Sequence, residues 1–192
     1  MKTPLIAVAG ALLSLAAVGA RAEAATYSVD PSHTAVIFEM QHFGTSTNRG
    51  RWAAKEGTVQ FDRAGKSGKV DITIDAASIN TGVGALDKHI RSAEIINADQ
   101  YPTARFVADK FVFNGDKVSE VSGSLTLAGK TNPITLKATN FNCYQSPMLK
   151  REVCGGDFEG TLVRSQYGVN YGLNYGFADA TRLVIQVEAV KQ

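Results

Sequence analysis

LDKHIRSAEIINADQYPTARF, Leu86 to Phe106, decides the reading of the fold, because it holds the one amphipathic helix pattern in a chain that otherwise alternates like strands. Leu86, Ile90, Ala93 and Asn97 fall on one helical stripe with Ile96 beside it, while Lys88, Arg91 and Glu94 point elsewhere. That is the period of a helix lying on a core. Asp87 suits the positive end of its first turn. Pro102 stops it, and β-type residues resume at Ala104, so the helix is predicted as an insertion between two strands, a lid over one end of a β structure.

Upstream of the lid, Tyr27 to Val29 predicts a short strand and Thr34 to Phe43 a longer one, with Val36, Phe38 and Met40 alternating against Ala35, Ile37 and Glu39. Both faces are fairly apolar, as in a barrel strand with a filled or ligand-bearing interior and a partly covered exterior. Gly44 to Gly50 reads as a polar loop. Trp52 to Asp62 and Lys69 to Ala76 alternate around the turn Arg63 to Gly68 and form a hairpin.

Downstream, Ala104 to Phe113, Lys117 to Leu127 and Pro133 to Phe141 make a meander, with Asn114-Gly115-Asp116 and Gly129 to Asn132 as its turns. Phe158 to Gln166 and Arg182 to Ala189 are the last two strands, joined by a connection rich in Gly, Asn and Tyr from Gly168 to Asp179. About eight or nine short strands, no βαβ rhythm and a single helix argue a mainly β fold, an antiparallel barrel or sandwich.

Lys2 followed by a small and apolar run from Leu5 to Ala20 has the form of a secretory signal, and the run is too short to span a bilayer comfortably. Ala22-Glu23-Ala24 supplies a small-x-small cleavage site, so residues 1–24 are expected to be a leader and residues 25–192 one exported domain. The formal net charge is +2 and the charges are interspersed, which gives no footprint for nucleic acid. Cys143 and Cys154 both lie in the exported part, where an oxidising compartment would let them pair. The alternative is two free buried thiols. The loop between them, with Tyr144, Pro147, Met148 and Leu149, is either a stapled hairpin tip or a surface for a partner.

Catalytic patterns fail on spacing. Gly129-Lys130-Thr131 lacks the earlier glycine of a phosphate loop, whose place Ser124 takes, and it joins two strands rather than opening a helix. Gly82-Val83-Gly84 has Asp87 where a dinucleotide loop needs its third glycine. No Gly-x-Ser-x-Gly elbow and no His-Glu-x-x-His occurs. His33 and His42 are nine residues apart on a strand and face opposite ways, and His89 lies on the lid helix, so no metal site is expected. The histidines instead suit polar roles at the barrel ends.

Tyr27-Ser28-Val29-Asp30-Pro31-Ser32-His33-Thr34, continuing to Phe38 and then His42-Phe43-Gly44, resembles the opening signature of the YceI-like family, the polyisoprenoid-binding proteins of bacterial periplasms. Lys88 to Glu94 with Tyr101 to Phe106 is similar to that family's helix and following strand, Gly123 to Leu136 to its hairpin, and Arg164-Ser165-Gln166-Tyr167-Gly168 to its late Arg-Ser-x-aromatic-Gly motif. The cysteine loop is not general in the family and resembles a subgroup that includes a neisserial antigen.

The resemblance implies a lipocalin-like antiparallel β-barrel of about eight strands with one capping helix, and a tunnel holding a long isoprenoid chain, such as that of a ubiquinone-like prenylated quinone or a polyprenyl precursor. It implies a periplasmic carrier, no enzyme and no obligatory cofactor. Transient membrane contact fits such a carrier, and a homodimer through the edge of the short first strand would be open to it. The alternative is a secreted interaction protein or antigen that meets a partner through its disulfide loop. Candidate tunnel residues are Val36, Phe38, Met40, Val59, Phe61, Ile72, Ile74, Phe106, Leu125, Leu127, Leu136, Ile185 and Val187. A one-residue slip in register would turn a whole strand's set to the other face. For the head group or lid the candidates are His33, His89, Ile90 and Arg91, with the Arg91 guanidinium the preferred partner of carbonyls or phosphate.

Overall fold

The structure is a computed structural model that describes residues 24–192. The leader expected over residues 1–24 therefore lies outside the described residues, apart from its last. One antiparallel sheet holds nine strands: β1 (Ala25–Val29), β2 (Ala35–His42), β3 (Ser46–Asp62), β4 (Ser67–Asp75), β5 (Thr103–Asn114), β6 (Lys117–Leu127), β7 (Lys130–Gln145), β8 (Glu152–Val163) and β9 (Ala180–Lys191). β2 to β9 pair in chain order and β9 returns to β2, which closes an eight-lane barrel.

β1 adds no lane. Its residues pair with Thr58 to Phe61 of β3 and Ala189 to Lys191 of β9, while β2 pairs with the first part of β3 and with Arg182 to Gln186 of β9. β1 and β2 thus fill one lane end to end, interrupted by Asp30 to Thr34. Every described strand is paired on both sides, so the free edge suggested for the short first strand does not exist.

Several element boundaries depart from the pattern in the sequence, those of β7 and β8 among them, β7 running on through Gln145 and β8 starting at Glu152 on either side of the disulfide. Gly44 to Gly50 is not a loop: the chain turns within Phe43 to Thr45, with Phe43 at φ 53 and Gly44 at φ 71, and β3 starts at Ser46. Gly50 lies under the Phe38 ring, where a Cβ would come within 2.4 Å of Phe38 Cε1. Its missing side chain, beside the polar Thr47, Asn48 and Arg49, hides the alternation. β8 covers Glu152–Val163 rather than running to Gln166, and Arg164 to Tyr167 form a 3₁₀ turn.

The lid helix, α1 (Gly84–Arg91), is also shorter than its stripe. Ser92 ends it by returning its Oγ to the His89 carbonyl at 2.7 Å, a side-chain bond that competes with continuation of the helix. Residues 92–101 run on as turns, with Asn97 at φ 49. Ile90, Ile96 and Ala98 are nevertheless all buried, so the apolar spacing records burial rather than helix beyond Arg91.

The two barrel ends differ. α1, its following turns and the β8–β9 connection lie at one end, here the lid end. At the other, the base, the β3–β4, β5–β6 and β7–β8 hairpins turn.

Candidate functional site

An internal cavity of about 190 Å³ runs between these ends. Alternating side chains point into it, among them Val70, Ile72 and Ile74 from β4, Leu125 and Leu127 from β6, Ile134 and Leu136 from β7, and Leu183, Ile185 and Val187 from β9. The inward parity switches along β3, β5, β6 and β7, where the register shifts at bulges. On β6 the lining extends from Val118 to Leu127. At about 3.3 Å per residue and a strand tilt near 40°, the lined space is roughly 23 Å tall. None of the described lining residues is charged. The hydroxyls of the lining residues Tyr27 and Thr34 are already engaged, Thr34 Oγ1 donating to the Glu188 carbonyl at 3.3 Å.

Of the residues proposed from sequence, Val36, Val59, Phe61, Ile72, Ile74, Phe106, Leu125, Leu127, Leu136, Ile185 and Val187 line this cavity. Phe38 and Met40 do not. Both continue the Val36 face of β2 toward the lid, where the Phe38 ring packs on Trp52 with centroids 5.2 Å apart. Trp52, Ile96 and Leu162 are lining residues that the sequence did not single out for the tunnel. Ile96 was visible on the helical stripe, and Trp52 as the first residue of a strand.

Aromatic rings close the base. Phe61 meets Tyr27 at 6.4 Å, Phe113 at 5.9 Å and Phe141 at 5.6 Å. The Tyr27 hydroxyl donates to Glu152 Oε1 at 2.5 Å, and Arg63 and Lys191 lie 3.5 and 3.8 Å from the same carboxylate. Burial, reinforced by Glu152, pushes the Tyr27 phenol up to about 12. Cys143 and Cys154 face each other across β7 and β8 and are bonded, S–S 2.05 Å, with Cys154 lining the base of the cavity. The hairpin tip beyond them, Ser146 to Arg151, carries Met148 at 89% exposure.

The lid has two parts, α1 with its turns and the β8–β9 connection. His89 of α1 packs edge-on against Tyr171 of the connection, centroids 4.6 Å apart. Arg164 holds that connection from inside: Nε donates to the Ala178 carbonyl at 2.8 Å, and Nη1 to the carbonyls of Val169 at 3.0 Å and Tyr171 at 2.6 Å. Asp179 accepts from the Ser165 backbone at 2.8 Å and from its hydroxyl at 2.7 Å. These bonds, with the Arg164 charge, hold its carboxyl below the usual carboxylate range. At the rim, Phe43, Val83, Tyr171 and Tyr175 are exposed, and Phe43 packs at a tilt against Phe177, ring centroids 4.6 Å apart.

The four residues proposed for a head group do not converge. His33 is exposed in the β1–β2 interruption on the barrel wall, its Nδ1 2.7 Å from Asp30 and its carbonyl accepting from Gln186. Ile90 is buried in the core beneath α1. Arg91 donates to the Ala77 carbonyl at 3.3 Å, while His89 faces Tyr171 and Glu94. The cation inside the lid is Arg164 instead. Its signal was present at the head of the Arg-Ser-x-aromatic-Gly segment, two residues beyond Leu162.

Residues 27–189 match the YceI-like domain. The chain is 33% identical over 184 residues to Protein YceI of Salmonella arizonae, covering 94% of this chain and 95% of that one. Among solved structures, BcnA of Burkholderia cenocepacia superposes with a TM-score of 0.66 at 23% identity, over 83% of this chain and 98% of that one. A polyisoprenoid binding domain from Saccharophagus degradans, implicated in plant cell wall breakdown, gives 0.61 at 12% identity, over 86% and 98%.

Proposed function

Because the chain belongs to the YceI-like family, we propose that it is a non-enzymatic periplasmic carrier or reservoir for a long-chain isoprenoid lipid, a prenylated quinone or a polyprenyl precursor. The observation that carries this reading is the closed barrel with an uncharged, apolar-lined interior reaching from the aromatic base to the lid. A flexible hydrocarbon gains about 0.8 kcal/mol per buried methylene, so a few isoprene units supply most of the affinity that a non-covalent complex reaches. A tail held this way is gripped with little regard to its identity. Selection then falls to the polar end. The polyisoprenoid-binding relative from Saccharophagus degradans supports the ligand class.

The lid end is the mouth in this reading, and its exposed Phe43, Val83 and Tyr175 suit transient contact with the membrane from which a lipid is drawn. The test is native mass spectrometry of the protein purified from its own cells, followed by organic extraction. A stoichiometric prenylated lipid supports the proposal. A bare mass that stays unchanged after incubation with such lipids removes it.

The base favours one second reading. Met148 and Leu149 stand exposed on the hairpin tip behind the disulfide, as an anchor for another protein would. Shortening Ser146 to Arg151 would then abolish partner capture and leave lipid binding intact.

A further inference from the structure

Arg164 is the buried cation of the lid. It is only 6% exposed, and burial pushes its guanidinium below the ordinary arginine value, although it stays charged. Nε and Nη1 are spent on the carbonyls of Ala178, Val169 and Tyr171. Nη2 is buried and has no acceptor among the described residues. Leaving a charged donor unsatisfied inside a protein is costly, and the same side chain would bond freely at the surface.

The position of this donor gives it a use. On β8, Phe158 and Leu162 line the cavity, and Arg164 follows two residues after Leu162, in the 3₁₀ turn by which the strand gives way to the lid, just beyond the lined space. Several arginines of the outer wall are paired with carboxylates, Arg105 with Asp71, Arg182 with Glu39 and Glu159, and Arg49 with Glu39, whereas Arg164 is not. Asp179, which offsets the Arg164 charge, has turned its oxygens to Ser165 and leaves Nη2 alone.

We infer that Arg164 recognises the polar end of the ligand, its Nη2 donating to an oxygen acceptor at the lid end of the tunnel, a quinone carbonyl or a prenyl phosphate. The inference rests on the reading of the cavity as the seat of an isoprenoid tail. The tail then lies toward the aromatic base and the head beneath the β8–β9 connection. Binding of a head completes the hydrogen bonding of the residue that organises that connection, so ligand and lid order together.

The test measures displacement of diphenylhexatriene, a headless fluorescent probe, from the full chain by three lipids with the same number of isoprene units: a prenylated benzoquinone, a prenyl phosphate and a plain isoprenoid hydrocarbon. A charge-assisted hydrogen bond in a dry site makes at least one headed lipid about ten- to hundredfold more potent than the hydrocarbon. The headed lipid that gains most identifies the acceptor. In Arg164→Gln this advantage is lost, the headed lipids falling to the potency of the hydrocarbon measured on the same variant. Arg164→Lys, which keeps a cation for the loop carbonyls but not the fork, loses it too and serves if the glutamine variant does not fold. Ser165→Ala, which loosens the Asp179 contact only, keeps it. Equal potency of all three lipids on the native protein overturns the inference and leaves the carrier reading standing. So does an advantage over the hydrocarbon that survives both Arg164 variants, which would make Arg164 a loop support only. Failure of every lipid, hydrocarbon included, strikes the carrier reading itself and takes the inference with it.

Discussion

His89 and Tyr171 pack edge to face at 4.6 Å, and this is where the two halves of the lid meet. One ring stands on α1 and the other on the β8–β9 connection that Arg164 secures. An edge-to-face pair of this kind is worth about 0.5–1.5 kcal/mol beyond the area it buries. Tyr171→Ala is therefore expected to speed release of bound diphenylhexatriene by roughly two- to tenfold in stopped-flow fluorescence. The melting temperature should hardly move, because neither ring belongs to the barrel.

The disulfide acts at the opposite end and on a different property. Cys143 and Cys154 are separated by 11 positions and clamp β7 to β8 just below the exposed tip. Closing so short a loop stabilises by about 3 kcal/mol in the chain-entropy model. For a domain of this size, replacing both cysteines by serine is expected to lower the melting temperature by about 6–12 °C in calorimetry. Affinity for a hydrophobic probe should change little, since the lid and most of the lining stay in place.

Alkaline pH should loosen the base. The Tyr27 phenol is raised from 10.0 to about 12 by its burial and by Glu152. A group whose folded value lies above its unfolded one stabilises fully below the unfolded value and loses that contribution as pH climbs through the folded one. Stability should therefore fall between pH 10 and 12 as the unfolded phenol ionises before the folded one. Urea unfolding at pH 9 and pH 11.5 reads this, and Tyr27→Phe should show a smaller fall between the two pH values than the native chain.

The barrel was legible because period-two alternation survives wherever a strand has one apolar face turned inward. Val70, Ile72 and Ile74 against Asp71, Thr73 and Asp75 leave no choice of parity, and Ile185 with Val187 follows the same rule. The pattern fails where packing uses something other than side-chain hydrophobicity. β3 begins among Thr47, Asn48 and Arg49 with a glycine under Phe38, and no alternation marks it. Ile96 is buried and stands at helical spacing from Ala93, yet Ser92 has already ended the helix.

The polar side of the site was less readable still. Arg91 and His33 are attractive by residue type, but one lies against the Ala77 carbonyl and the other on the outer wall. Arg164 is buried only because the connection from Gly168 to Asp179 folds back over it and offers three carbonyls. That closure is a long-range event with no local signature.

Trp52 allows the central claim to be tested inside the tunnel itself. It is the single tryptophan of the chain and lines the cavity toward the lid. A quinone quenches indole fluorescence at contact distance, so titration with a prenylated benzoquinone should quench Trp52 and saturate near one equivalent. Leu136→Trp is unsuitable because it adds a second emitter, whereas Leu136→Phe narrows the tunnel silently and should weaken the quenching. Saturable one-to-one quenching in the native chain, reduced in Leu136→Phe, is the expected result. Emission that only declines linearly with quinone, alike in both proteins, would mean collisional contact and no occupied tunnel, and would contradict the account.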